Sequence, residues 1–436
     1  MQQEWAVLGG GLLGMTLALR LRQAGHEVSL IEAAPELGGL ASAWKIGDLE
    51  WDRHYHVTLL SDSYTRDLLR ETGLESEMVW KQTRTGFYSG GRHHSMSSSL
   101  DFLLFPPLGL AGKARLALTI LHASRIPDYR ELENTLVEDW LVKWSGRSTF
   151  EKIWKPLLRA KLGDGYRRTS AAFIWATIAR LYAARRSGMK REMFGYLPGG
   201  YGRTLAALET RLREAGVRIR VGTPVRRVEA LDGGLRVSFD GAVERFDRAV
   251  CTMPSPAAAK IAGLASHQKL DYQGIVCASV LLNRPLSPYY VTNITDTWVP
   301  FTGVIDMSAL VDPAEFGGHG LVYLPKYVAP DDPLFEQSDA EIEASFLGAI
   351  ERMYPEFRRA DVRAFRVSRV RHVFPVPVLG YSKLVPPVKT EIPGLYCVNS
   401  THIVNGTLNV NQTLELAEQA ARQLLAERSS RREVAA

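Results

Sequence analysis

The sequence predicts an α/β protein in which a parallel-sheet nucleotide-binding domain is interrupted by a mixed α+β substrate domain. Three observations carry this expectation. Residues 5–14 read WAVLGGGLLG, an apolar run, then glycines at 9, 11 and 14, then an Ala/Leu-rich helical stretch. The next apolar run, HEVSLIE, ends on a single acid, Glu32, 18 residues past Gly14. Two later segments, 195–262 and 388–428, carry strand and helix signals of the same kind.

In the first unit each part has a physical task. Gly9 permits the tight turn off the first strand, Gly11 lets the backbone approach a pyrophosphate, and Gly14 lets the helix pack closely on the sheet. The helix N-terminus at Leu12 and Leu13 offers N–H groups to the phosphates. Glu32, followed by Ala33, stands where a carboxylate accepts hydrogen bonds from both ribose hydroxyls of an adenosine. Together they predict a Rossmann-like dinucleotide site.

In the middle, YLPGGYGRTLAALETRLREAGVRIRVGTPVRRVEAL gives a Gly-Gly turn, an amphipathic helix and a strand ending near Val225. LRVSFDG, AVERF and DRAVCTMP follow as short strands, the last stopped by Pro254. Near the C-terminus IPGLYCVNS reads as a buried strand that leads through THIVNGTLNVN into the helix TLELAEQAARQLLAE. Segments 1–58, 195–262 and 388–428 are therefore assigned to one discontinuous nucleotide-binding domain. Segments 59–194 and 263–387 form the substrate domain, and 429–436 a flexible tail. The first insert is mostly helical in pattern, including DSYTRDLLRETG and AAFIWATIARLYAARR. The second is strand-rich (GIVCASVLLN, TWVPFTGVI, GLVYLPKYV, VRAFRVSRVRHVF), with one helix near 339–353.

Composition bounds the function. The chain has 436 residues, 46% of them hydrophobic, and a formal charge of +6. That mild excess suits an anionic cofactor, an anionic substrate or an acidic membrane surface, or plain solubility; it is not the mark of a nucleic-acid binder. Cys251, Cys277 and Cys397 are too few and too scattered for a disulfide framework, so a reducing cytoplasm is the expected compartment. The N-terminus lacks the basic leader of a signal peptide. No apolar run approaches the roughly 20 residues that span a bilayer.

The string from Val7 to Ser42, VLGGGLLGMTLALRLRQAGHEVSLIEAAPELGGLAS, adds a second glycine pair, Gly38-Gly39, a few residues past Glu32. It resembles the flavin-binding fingerprint of the FAD-dependent amine oxidase superfamily. That group includes amine oxidases, protoporphyrinogen oxidases, phytoene and squalene desaturases and UDP-galactopyranose mutases. The resemblance implies FAD as the cofactor, held by a GR2-type Rossmann-like domain. Gly38 and Gly39 would close the backbone over the FAD phosphates, with N–H groups at Leu40 and Ala41 beside them. Val225 would hold the adenine through its main chain, Ser400 a ribityl hydroxyl, and Asn409 and Val410 the pyrimidine edge of the flavin. Two departures stand out. Leu40 sits where the family often has Arg, and Asn399-Ser400 where it often has Gly-Asp.

Candidates for chemistry lie outside the glycine turns. His54 and His56, in DRHYHVTLLSD, share one face if the backbone is extended; each is an acid–base or orienting candidate, or a hydrogen-bonded structural histidine. A metal held by the two would need a third ligand that the neighbouring sequence does not offer. Lys161, in WKPLLRAKLGDGYRR, is a third candidate: the family places a lysine against the flavin, but on a strand, and an exposed or salt-bridged lysine is the plainer reading. Arg167, Arg168, Arg185, Arg186, Lys190 and Arg191 make a basic face, which favours a phosphate-bearing substrate if several converge. Residues 101–121, DFLLFPPLGLAGKARLALTIL, read either as a core helix entered from a loop or as an apolar hairpin making peripheral membrane contact.

The resulting expectation is an FAD-dependent oxidoreductase that oxidises or desaturates a hydrophobic or lipid-like small molecule by hydride transfer to flavin N5. It would be cytoplasmic, with peripheral contact to the inner face of the membrane. Two alternatives stay open: a sugar-nucleotide mutase working on reduced flavin, and a non-catalytic flavoprotein.

Overall fold

The computed structural model describes residues 2–186, 193–268, 270–404 and 408–433. Short apolar strands from three distant parts of the chain meet in one five-stranded sheet. Its order is Arg218–Arg220, Glu27–Ile31, Glu4–Leu8, Arg248–Cys251, Leu395–Cys397, and every pairing is parallel. Strand alternation sends Trp5 and Val7 to one face and Ala6 and Leu8 to the other. The first face buries the helices Leu12–Gln23, Tyr201–Glu214 and Val410–Glu433 through residues such as Leu17, Leu208 and Leu414. The second is covered by a three-stranded antiparallel meander, Arg227–Leu231, Gly234–Phe239 and Ala242–Phe246, through Val228, Leu235 and Val237. A sheet buried on both faces explains why its strands read as unbroken apolar runs.

Two expected boundaries move. The strand before Val225 ends at Arg220, because Gly222 (φ +61°) turns the chain there. The N–H groups of Gly222 and Thr223 then donate to Ala34 and Glu32 carbonyls at 2.7 and 2.8 Å. The C-terminal helix continues through residues 429–433, where a tail was expected; Arg and Glu there are favourable helix formers.

The second sheet has seven strands in the order Val362–Pro375, Tyr272–Leu282, Gly320–Val328, Gly303–Asp306, Val291–Ile294, Thr85–Ser89, Arg92–Ser95. The last two lie within the first insert, which is mostly helical as expected and adds this hairpin to the sheet. Gly90 and Gly91 both have positive φ, the demand of a tight hairpin turn, and they reverse the chain between those strands. One face of the sheet packs on the helices Val137–Ser145, Lys155–Leu162 and Ala171–Arg186; the other packs on Asp339–Met353. Among the described residues, no helix is long and apolar enough to cross a membrane.

Candidate functional site

The two glycine segments form one cradle. Gly11 bridges Gly38 in parallel register, and the Gly38 N–H donates to the Gly10 carbonyl at 2.8 Å. A Cβ on Gly14 would stand 1.9 Å from the Gly9 carbonyl oxygen, so only glycine lets this helix start so close to the strand end. A Cβ on Gly39 (φ +57°) would come within 3.2 Å of the Gly11 Cα. Gly11 is the N-cap of the helix beginning at Leu12 and Leu13, whose first N–H groups therefore open onto the cradle. Glu32 is already oriented: its carboxylate accepts from the Gly10 N–H at 2.6 Å and the Ala34 N–H at 2.8 Å, with Ala33 exposed beside it. Leu40 and Ala41 lie in the single helical turn that follows Gly38. Val225 packs at the edge of the meander core in the segment that passes Glu32.

The end of the last strand carries Ser400, the expected ribityl contact, beside a buried asparagine. Ser400 is only partly buried, and its neighbour Asn399 is the buried polar centre. The Asn399 amide donates to the Met253 carbonyl at 2.9 Å while its oxygen accepts from the Thr401 N–H at 3.0 Å. Thr401 joins Ser255 and Tyr272 at 2.9 and 2.8 Å, and its carbonyl accepts from the Tyr381 hydroxyl at 2.8 Å. Where the family often has an acid, this chain has a closed amide–hydroxyl network that clamps the sheet end. Asn409 caps the C-terminal helix: its side chain accepts from the Gln412 N–H at 3.0 Å, and Val410 is the first helical residue.

The histidines separate. The chain bends at Arg53 and His54, and the two rings take different partners. His54 is buried, with Nδ1 3.2 Å from the Leu40 carbonyl, and its Nε2 has no hydrogen-bond partner among the described residues. Burial, helped by His56 nearby, lowers its pKa to about 4, so the ring is neutral at pH 7. His56 turns instead to Asp52, 3.6 Å away, and packs on the Tyr201 ring at 4.9 Å. Asp52 also accepts the Tyr201 N–H at 2.7 Å, so His56 belongs to the joint between the cradle and the middle helix. Among the described residues no cluster of metal-ligating side chains occurs.

Tyr55, between the histidines, leads into a closely packed aromatic chamber, a cluster of buried side chains that the sequence reading missed. Its hydroxyl is 3.0 Å from that of Tyr327, and the Tyr323 hydroxyl donates to the Asp52 carbonyl. Tyr323 and Tyr327 stand four apart on one strand and so share a face. They join Ile275, Cys277, Val370 and Phe374 of the neighbouring strands, with Val404 and Leu408 from the segment before the C-terminal helix. Lys161 enters this chamber from its helix, with Nζ 3.6 Å from the Tyr327 ring centroid and 5.2 Å from that of Phe374. The exposed or salt-bridged reading of Lys161 is thus corrected: its amine lies on aromatic faces, and desolvation lowers its pKa to about 7. The tyrosine spacing in GLVYLPKYV was the available signal.

The expected basic face does not converge where it is described. Arg167 lies over the Tyr166 ring and Arg168 pairs with Asp271 at 2.8 Å. Lys190, Arg191 and the side chains of Arg185 and Arg186 fall outside the described residues. A cleft of about 870 Å³ is lined by Arg168 and mixes Arg159, Lys326 and His372 with Asp164, Asp271 and Asp332; it contains none of the candidate catalytic or cofactor-binding residues. Tyr327 lines both that cleft and the chamber.

Residues 14–425 match the family model described as flavin containing amine oxidoreductase. Zeta-carotene desaturase of Synechocystis sp. is 26% identical over 264 residues, 53% of this chain and 52% of that protein, so the match spans about half of that relative. Coproporphyrinogen III oxidase of Mycobacterium tuberculosis is 26% identical over 298 residues, 64% of this chain and 65% of that protein. An oxidoreductase structure from Methanosarcina mazei has a TM-score of 0.75 at 19% identity, covering 96% of this chain and 100% of its own, and so shares the fold. FAD fits the cradle described above, since the positions a Cβ would obstruct are glycine and the acid is oriented at the strand end. The family match runs through nearly the whole fold, and the chain therefore belongs to the flavin containing amine oxidoreductases, a family of FAD-dependent oxidoreductases.

Proposed function

We propose that this chain oxidises or desaturates a hydrophobic, lipid-like substrate. The observation that carries the reading is the buried apolar and aromatic cluster of Ile275, Cys277, Tyr323, Tyr327, Val370 and Phe374, which reaches the glycine cradle through Tyr55 and His54 and the neighbouring cleft through Tyr327. Apolar and aromatic surface of this kind favours an apolar substrate by desolvation. FAD, when bound, supplies a two-electron acceptor for a substrate C–H bond. Gly9, Gly11, Leu12, Leu13, Gly14, Glu32, Ala33, Gly38, Gly39, Leu40, Ala41 and Val225 would hold its adenosine and diphosphate. Ser400 and the helix start at Asn409 and Val410 would meet the ribityl and flavin end.

The chain's own chemistry is proton handling. Lys161, with a pKa near 7, is half neutral at working pH and accepts a proton released from the substrate carbon. Aromatic faces on two sides exclude water from that amine. The Tyr55–Tyr327 hydroxyl pair fixes the ring on which Lys161 rests. Neutral His54 orients the cradle loop through the Leu40 carbonyl.

The test is anaerobic mixing of the FAD-loaded protein with polyprenoid, porphyrinogen, amine and sugar-nucleotide panels, read as loss of flavin absorbance. Bleaching by a polyprenoid or a porphyrinogen is expected. Bleaching by amines alone overturns the lipid-like assignment. Turnover of a UDP-sugar that requires prior dithionite reduction replaces the oxidase reading with mutase chemistry. Flavin that no panel reduces removes the oxidoreductase reading altogether.

A further inference from the structure

The helix Leu110–Ala123 is turned inside out. Its buried residues include Lys113 and Thr119, while Leu110, Leu118 and Leu121 are exposed. With Ala114 and Ala117 these leucines recur at helical spacing, i, i+4, i+7, i+8 and i+11, and so form one apolar stripe facing outward. The preceding short helix Ser99–Leu104 adds exposed Leu100, Leu103 and Leu104, at 63%, 56% and 68% exposure. Lys113 holds the two helices together, its amine donating to the Leu103 carbonyl at 2.5 Å. Six of the ten exposed large hydrophobic side chains among the described residues thus lie between 100 and 121, a concentration that scattered surface leucines do not produce.

The charge around the stripe is predominantly positive: Asp101, the one carboxylate within the hairpin, is taken up by Ser95, Ser97 and Ser98 at the start of its helix, and Glu151 at the rim pairs with Lys155. From 102 to 127 the chain has Lys113, Arg115 and Arg125 and no carboxylate. Lys152 is exposed at the rim and donates to the Pro107 carbonyl at 3.2 Å. Lys143 is exposed beside Trp144, whose ring stacks on His122 at 3.7 Å. Exposed leucines ringed by cations and a tryptophan match the chemistry of an interface between acyl chains and anionic head groups.

We infer that the Ser99–Ala123 hairpin is a docking surface for an anionic lipid bilayer, entered by Leu103, Leu104 and Leu110 and steered by Arg115, Arg125, Lys143 and Lys152. The inference is independent of which substrate the chamber takes. The FAD-loaded, full-length protein is floated with vesicles of phosphatidylcholine alone and of equimolar phosphatidylcholine and phosphatidylglycerol. Binding to the anionic vesicles is expected, weakening as salt rises. The Leu103→Ser/Leu104→Ser/Leu110→Ser variant should lose at least tenfold in binding, and Arg115→Glu about fivefold, with flavin content unchanged. Failure of the wild type to float with the anionic vesicles overturns the inference. So does a self-associated protein in light scattering that the leucine variant converts to monomer, since the stripe is then an interface between copies.

Discussion

The glycine cradle and the aromatic chamber lie next to each other, joined by His54 and Tyr55, and are built by opposite means. In the cradle the working surface is main chain: Gly38 donates to Gly10, Glu32 accepts from Gly10 and Ala34, and glycine is required where a Cβ would strike Gly9 or Gly11. In the chamber it is side chain. Tyr55, Lys161, Cys277, Tyr327 and Phe374 come from a loop, a helix and three strands and meet only because the second sheet folds over the cradle. A main-chain site tolerates almost no change at its glycines and much change elsewhere. A side-chain site can be altered one group at a time while the cofactor stays in place.

The largest expected effect tests that asymmetry directly. Gly39→Val puts a branched Cβ at φ +57°, 3.2 Å from Gly11 Cα, in a position that is exposed in the fold. Flavin retention should fall by a hundredfold or more, about 3 kcal/mol, while circular dichroism stays native. A Gly39→Val protein that purifies fully yellow would break the comparison.

Lys161→Met should do the reverse, keeping flavin and lowering the rate of substrate-driven flavin reduction by about a hundredfold. The wild-type rate should climb as pH rises through about 7, where the amine loses its proton, and the variant profile should be flat. Stability has a definite sign as well. Folding lowers this pKa from 10.5 to about 7, so stability present above 10.5 is lost as pH falls toward 7 and changes no further below it. The melting-temperature advantage of Lys161→Met should grow across that same window.

Glu32→Gln removes a charged acceptor from the cradle without blocking it. Equilibrium dialysis should show FAD binding about tenfold weaker, on the order of 1.5 kcal/mol, and unchanged chamber kinetics once saturated. Tyr55→Phe deletes one hydroxyl of the 3.0 Å pair and should cost about 1 kcal/mol, read as a several-fold loss in kcat/KM at full flavin occupancy. The smallest signal sharpens the boundary between the regions. His54 should keep a neutral-imidazole nitrogen spectrum from pH 8 to 5 and gain its proton only near 4, with stability falling as pH drops from 6.5 toward that value.

Legibility followed the same division. Gly9, Gly11, Gly14, Gly38, Gly39 and Glu32 were readable because each has a backbone or single-residue reason visible in a short window. The hairpin at Thr85–Ser95 carried its Gly90-Gly91 turn in plain view and was hidden by helical neighbours. The buried role of Asn399 depends on Met253, Ser255 and Thr401, which no local pattern links.

The sequence by itself determined the parallel sheet, its glycine cradle and the cofactor class, since local backbone freedom and strand periodicity act over a few residues. Tertiary structure alone decided that Lys161 lies on Tyr327, that His54 and His56 part, and that Leu110 faces outward while Lys113 turns in. Those outcomes depend on which side chains from distant elements share a buried volume, and burial sets both their contacts and their protonation.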